Sequence, residues 1–175
     1  MNPNTPQRRI VHTGRKIRVA LETATGADGQ PFQRDVILHP GAVAILPFLD
    51  DGRVCLVRNN RPVVGETLLE IPAGTLEPDE PPDTAAVREL EEETGYRAAH
   101  WQKVTEFFPS PGVISERTHL YVAKELTPGS QQLEIDEDLE PVLFPWDDVL
   151  QMAFDGTIRD AKTLVAVLLW ERLKA

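Results

Sequence analysis

The chain has 175 residues, 41% hydrophobic and 26% charged, enough for one soluble domain with a real core, or a core plus a small appended sheet. Its net charge of −10 argues against a nucleic-acid partner, whose phosphates need a basic stripe. One cysteine, Cys55, rules out an internal disulfide and fits a reducing compartment.

The first dozen residues are polar and contain proline, and read as a loose arm without the apolar region of a secretory signal. Residues 15–24 and 32–38 alternate as strands around the turn-rich stretch 25–31. Strands at 42–49 and 53–58 follow, joined as a hairpin by Asp50-Asp51-Gly52, with Cys55 as buried filler. A strand at 67–71 runs into Pro72-Ala73-Gly74. Next comes a short helix with Pro81 and Pro82 in its first turn, Asp83 at its positive end and Gly95 as its left-handed cap. Strands at 101–108 and 118–126 flank a loop containing Ser110-Pro111-Gly112. A last strand near 141–144 leads to helices at about 146–154 and 159–173. The longest apolar run, residues 163–170, is far too short to span a bilayer, so we expect a cytoplasmic protein with no membrane partner. The expected fold class is α+β: a mixed β-sheet between helices over residues 41–175, preceded by an N-terminal arm and antiparallel hairpin over residues 1–40.

The acidity is local. Residues 77–93 carry eight acids and one base, Arg88, and residues 134–140 carry five acids, so the rest of the chain is slightly basic. Like charges at helical spacing destabilise a helix, and a multivalent cation between them offsets that cost. Wound at about 100° per residue, Glu89, Glu92 and Glu93 fall within an arc of about 100°. Leu90, Thr94 and Val87 form a separate face for packing, and Glu91 points to solvent. Hard oxygen donors suit Mg2+ or Mn2+; zinc would want His or Cys. Counting carboxylates alone, a solvated acidic helix fits equally well. The four histidines show no metal-ligand spacing, and no GxSxG elbow or Walker A loop occurs.

The spacing goes further. Gly74, then Glu80 after five residues, then Arg88-Glu89-Leu90-Glu91-Glu92-Glu93-Thr94-Gly95 after seven more, resembles the Nudix box GX5EX7REUXEEXGU, with Tyr96 aromatic where an aliphatic is usual. Segments 39–47, 57–78 and 107–123 resemble the ADP-ribose pyrophosphatase branch of the Nudix hydrolases, and the likeness covers most of residues 10–172. It implies metal-dependent cleavage of a nucleoside diphosphate sugar within its pyrophosphate; for ADP-ribose the products are AMP and ribose 5-phosphate. GDP-mannose or another nucleotide sugar is the alternative substrate. A further alternative is a module that binds ADP-ribose without cleaving it; such modules commonly have a degraded box and a DNA-binding segment, and this chain shows neither.

The resemblance also implies roles. Glu89 and Glu93 are the main metal ligands, with Glu92 and the Ala73 carbonyl completing or bridging the site, and Arg88 orients the glutamates. Gly74 is read either as a close approach of backbone to the cation or as a plain turn glycine. Glu70 reaches the metal or the ribose. The general base comes from residues 135–142, with Glu137 the better match and Glu140 second. Arg58 and Arg61 are the basic pair that supplies a phosphate contact, with Asn60 where the family often has an aromatic residue. Glu116 and Arg117 border the terminal ribose, and Pro111 resembles a proline associated with ADP-ribose preference. Arg15 or Phe32 stacks on adenine, or is an ordinary surface or core residue. A homodimer that exchanges N-terminal hairpins is expected.

Overall fold

The computed structural model describes residues 7–15, 17–135 and 137–174. Strands β1 (Gln7–Thr13), β2 (Arg18–Thr25) and β3 (Pro31–Leu38) form an antiparallel sheet of their own, in the order β1-β2-β3. The expected loose arm therefore contains a strand. All seven β1 residues are exposed, so no apolar alternation reveals it. Its register is marked instead by a charge ladder, in which Arg8 pairs with Glu22 and Glu22 with Arg34 across three strands. The Glu22 carboxylate is buried and accepts from Arg8 Nε and Arg34 Nε, each at 2.7 Å.

The rest of the chain forms β4 (Ala42–Pro47), β5 (Arg53–Arg61), β6 (Glu66–Glu70), β7 (Ala73–Thr75), α1 (Pro82–Thr94), β8 (Tyr96–Phe107), β9 (Thr118–Pro128), β10 (Leu139–Pro145), α2 (Trp146–Asp155) and α3 (Ala161–Leu173). These strands divide into a mixed sheet, β7-β4-β9-β8, whose β4–β9 pair is parallel, and an antiparallel sheet, β10-β5-β6. The turn expected at Asp50-Asp51-Gly52 is present, but in place of a paired hairpin a single bridge, from Phe48 just past β4 to Val54 of β5, spans it. Both edges of β4 are taken by β7 and β9, so β5 builds a second sheet.

Every residue of β4 is buried because helices cover both faces of its sheet. Val43 and Ile45 pack with Ala85, Ala86 and Leu90 of α1. Ala44 and Leu46 face the larger core, with Leu56, Ile71, Leu120, Val167 and Trp170. Each large apolar side chain buried this way contributes about 1.5–3 kcal/mol. Cys55 is buried filler as expected, and burial pushes its thiol up to about 12. No helix among the described residues is long and apolar enough to cross a membrane.

Candidate active site

Helix α1 starts as its sequence directs, with Pro82 at its first position, and stops at Gly95, whose left-handed backbone (φ 70°) donates to the Glu91 carbonyl at 2.8 Å. Its faces differ from the expectation. Ala85, Ala86, Glu89, Leu90, Glu93 and Thr94 are buried together, while Val87 is 48% exposed. Carboxylates and packing residues thus share one stripe, because the two alanines lie on the Glu89–Glu93 arc and let β4 approach it. Glu91, outside that stripe, pairs with Arg97 at 2.7 Å.

One guanidinium gathers the acids. Arg88 forks onto Glu80 at 2.9 and 2.8 Å, and its Nη1 donates to Glu89 at 2.7 Å and Glu92 at 2.9 Å. Glu93 accepts the Ala73 N–H at 3.0 Å. Gly74 lies against Glu89: a Cβ there would be 1.9 Å from the carboxyl carbon and within 2.2 Å of both oxygens. The close approach at Gly74 is to Glu89: the strand has no room for a side chain there, so Gly74 is more than a plain turn glycine.

Burial pushes Glu89 up to about 7, against the opposing pull of Arg88, and pushes Glu93 well above the usual carboxylate range. Two buried acids so close together favour protons or a cation. Among the described residues, no three His, Cys, Asp or Glu side chains are grouped so as to hold a metal ion, and Arg88 pairs with Glu89 and Glu92. The donor set still fits a hard divalent cation: the buried carboxylate oxygens of Glu89 and Glu93, carried on one rigid helix.

The acids open into a cavity of about 920 Å³. Of the residues singled out from sequence, Arg15, Arg61, Ala73, Arg88, Glu89, Glu93, Glu116 and Glu137 line it. Glu92 stands behind Arg88. Glu70 lies outside the lining: it is 1% exposed, and Arg61 holds both its oxygens at 2.7 and 2.6 Å. Arg58 and Glu140 are register partners across β5 and β10 and pair with each other at 2.9 Å on the exposed surface, outside the cavity lining. Arg117 also lies outside the lining, paired with Glu106 and stacked 5.1 Å over the Phe108 ring. Pro111 is exposed in its loop. Phe32 sits beside the β2–β3 turn, whereas the cavity meets this sheet at the β1–β2 connection, through Arg15 and Arg18.

Sequence reasoning missed several participants. Lys162 lines the cavity, 2.7 Å from Asp160 and 3.6 Å from Glu70. Asp160 caps α3 through Thr163 N–H at 2.9 Å, and the Thr163 hydroxyl accepts the Ile71 N–H at 2.9 Å, stitching α3 to the end of β6. Burial pushes Asp160 up, but Lys162 and Thr163 together hold it lowered. The available signal was the Asp160 N-cap one turn before an apolar stripe. Glu134 also lines the cavity, 4.0 Å from Arg15.

Comparison with known proteins gives a consistent picture. The family model described as the NUDIX domain matches residues 38–167. The chain is 38% identical over 159 residues to the ADP-ribose pyrophosphatase of Bacillus subtilis (strain 168), covering 90% of this chain and 86% of that one. It is 40% identical over 102 residues to the GDP-mannose pyrophosphatase of Cronobacter sakazakii (strain ATCC BAA-894), covering 56% of this chain and 52% of that one. A solved structure titled as an ADP compounds hydrolase superposes with a TM-score of 0.83 at 23% identity, covering 97% of this chain and 94% of that one; it shares the fold.

Proposed function

The chain belongs to the NUDIX family, and from that premise we propose that it hydrolyses the pyrophosphate of ADP-ribose or a related ADP-sugar to AMP and a sugar phosphate. The observation that carries this reading is the meeting of opposites in one cavity. The buried Glu89–Glu93 stripe opens into a space that also presents Arg15, Arg18, Arg61 and Lys162, of a size suited to a nucleotide sugar.

Glu89 and Glu93 would hold Mg2+ or Mn2+, with Glu92 and the Ala73 carbonyl. When bound, the cation offsets the diphosphate's charge and lowers the pKa of water. Arg88 keeps Glu89 and Glu92 oriented, and Glu80 keeps Arg88 oriented. Arg61, braced by Glu70, contacts a phosphate oxygen. Glu137 accepts the proton of the attacking water as its oxygen joins phosphorus and the bridging P–O bond breaks. Glu116 borders the terminal ribose and Arg15 the base. Residues 1–40 act as a dimerisation and substrate-site element of a cytoplasmic homodimer, and residues 41–175 as the hydrolase domain.

GDP-mannose is the second reading, favoured by the partial match to the Cronobacter sakazakii protein. Incubating the protein with Mg2+ and a panel of nucleotide sugars separates them: AMP release from ADP-ribose supports the first, and preferential GMP release from GDP-mannose replaces it. Binding of ADP-ribose with no phosphate ester released would make the protein a binding module.

A further inference from the structure

The segment between β9 and β10, which carries Glu134 and Glu137, is tied down at both ends. At its start, Gln131 Nε2 donates to the Glu93 carbonyl at 2.8 Å and the Gln132 N–H donates to the Glu92 carbonyl at 2.9 Å. Both acceptors lie in the last turn of α1, where carbonyls lack partners within the helix. The segment therefore starts from the same helix that carries the acidic stripe. At its far end the Asn60 N–H donates to the Asp138 carbonyl at 2.9 Å, extending the β5–β10 ladder. A second bond there is not ladder geometry: Asn60 Nδ2 donates to the Asp138 carboxylate, also at 2.9 Å.

Between these ties, Glu134 lies 4.0 Å from Arg15, and neither Ile135, which is fully exposed, nor Leu133, which is 38% exposed, supplies an apolar anchor. Glu137 Oε2 accepts the Glu134 N–H at 2.8 Å, and the Glu137 N–H donates to the Glu134 carbonyl at 3.1 Å. Those bonds close a local turn, which the Asn60–Asp138 bonds join to the end of β5. Asp138 is the next residue after Glu137, so its fixation sets the origin of the Glu137 side chain.

We propose that Asn60, through its side-chain bond to Asp138, is a positioning residue that sets how Glu137 reaches into the cavity. This rests on Glu137 being the base. A base acts within about 2.6–3.2 Å of the proton it takes, and a misplacement of about 1 Å costs up to about 100-fold. An exposed amide–carboxylate bond is worth less than that limit, so loss of the Asn60 amide should lower kcat about three- to tenfold.

The test compares wild type with Asn60→Ala, Asp138→Ala, the swap Asn60→Asp with Asp138→Asn, Glu137→Gln, and Asn60→Ala combined with Glu137→Gln. Each is assayed with Mg2+ on ADP-ribose, or on GDP-mannose if the panel favours it, and melted to check folding. We expect both alanine variants to lower kcat about three- to tenfold with KM within about twofold. The swap, which rebuilds the bond with donor and acceptor exchanged, should restore kcat. Adding Asn60→Ala to Glu137→Gln should cost nothing further. Wild-type kcat in Asn60→Ala, a change in KM alone, or a full additional loss in the Glu137→Gln background would each overturn the proposal. If Asn60→Ala fails to fold, Asp138→Ala breaks the same bond from the other side and decides. Full activity in Glu137→Gln would instead reject the base assignment itself, whereas an inactive Glu137→Gln beside an unaffected Asn60→Ala rejects only the positioning role.

Discussion

Replacing Gly74 with alanine would drive a methyl group into the Glu89 carboxylate, so either the strand or the glutamate must move. Moving Glu89 breaks its bond to Arg88 and removes a carboxylate from the cavity. Gly74→Ala should lose about 1–3 kcal/mol of stability in thermal melts and at least about 100-fold in hydrolysis rate. A variant that keeps wild-type activity would show that Glu89 tolerates displacement. Glu89 supports a second expectation, in which stability and activity move in opposite directions. Its folded pKa, about 7, lies above the ordinary 4.5, so the folded chain holds that proton more tightly than the unfolded one. Burial of Glu89 is therefore without penalty below pH 4.5, becomes costly as pH rises towards 7, and stays costly above it. Glu89→Gln should stabilise the metal-free protein at pH 8 by ~1–2 kcal/mol in urea titrations, with little change at pH 4.5, and should lower kcat by orders of magnitude. Equal stability of the two proteins at pH 8 would contradict the burial argument.

Among the elements, the N-terminal sheet depends on charge where the central sheet depends on apolar packing. Arg8 first, then Arg34, holds the Glu22 carboxylate below its ordinary 4.5. The stabilisation is present above pH 4.5 and is lost as pH falls through the lower folded value. Amide exchange of β1–β3 should accelerate in wild type as pH drops below 4.5, after correction for intrinsic exchange, and show no such step in Glu22→Gln. An identical step in both proteins would assign it elsewhere. Helix α1 illustrates what is legible at this scale. Its ends were readable, because Pro82 and Gly95 act through their own backbone. Its faces were misread, because Ala85 and Ala86 become a packing surface only once β4 lies against them, leaving Val87 outside. Strand β1 carried no signal at all, since its partners are charges one strand away.

On the scale of the whole molecule, the cavity is assembled from stretches far apart in sequence: the β1–β2 connection, the end of β5, the β7–α1 region, the Glu134–Glu137 segment and the first turn of α3. Deleting residues 1–38 removes Arg15, Arg18 and Leu38 from its wall. The truncated protein should run as a monomer in light scattering and show KM for ADP-ribose raised at least about tenfold. An unchanged dimer with unchanged KM would reject both the dimer role and the substrate role of this sheet. By itself the sequence determined the family and the acidic chemistry, because the box from Gly74 to Tyr96 encodes them in spacing along one strand and one helix. Only the tertiary structure decided which polar side chains line the cavity and which brace another side chain: Glu70 beneath Arg61, Glu140 on Arg58, Asn60 on Asp138, Lys162 beside Asp160. Apart from Lys162 and Asp160, these partners meet across strands, nine to about eighty residues apart. Local periodicity carries no record of such pairings, so they exist only after the sheets have formed.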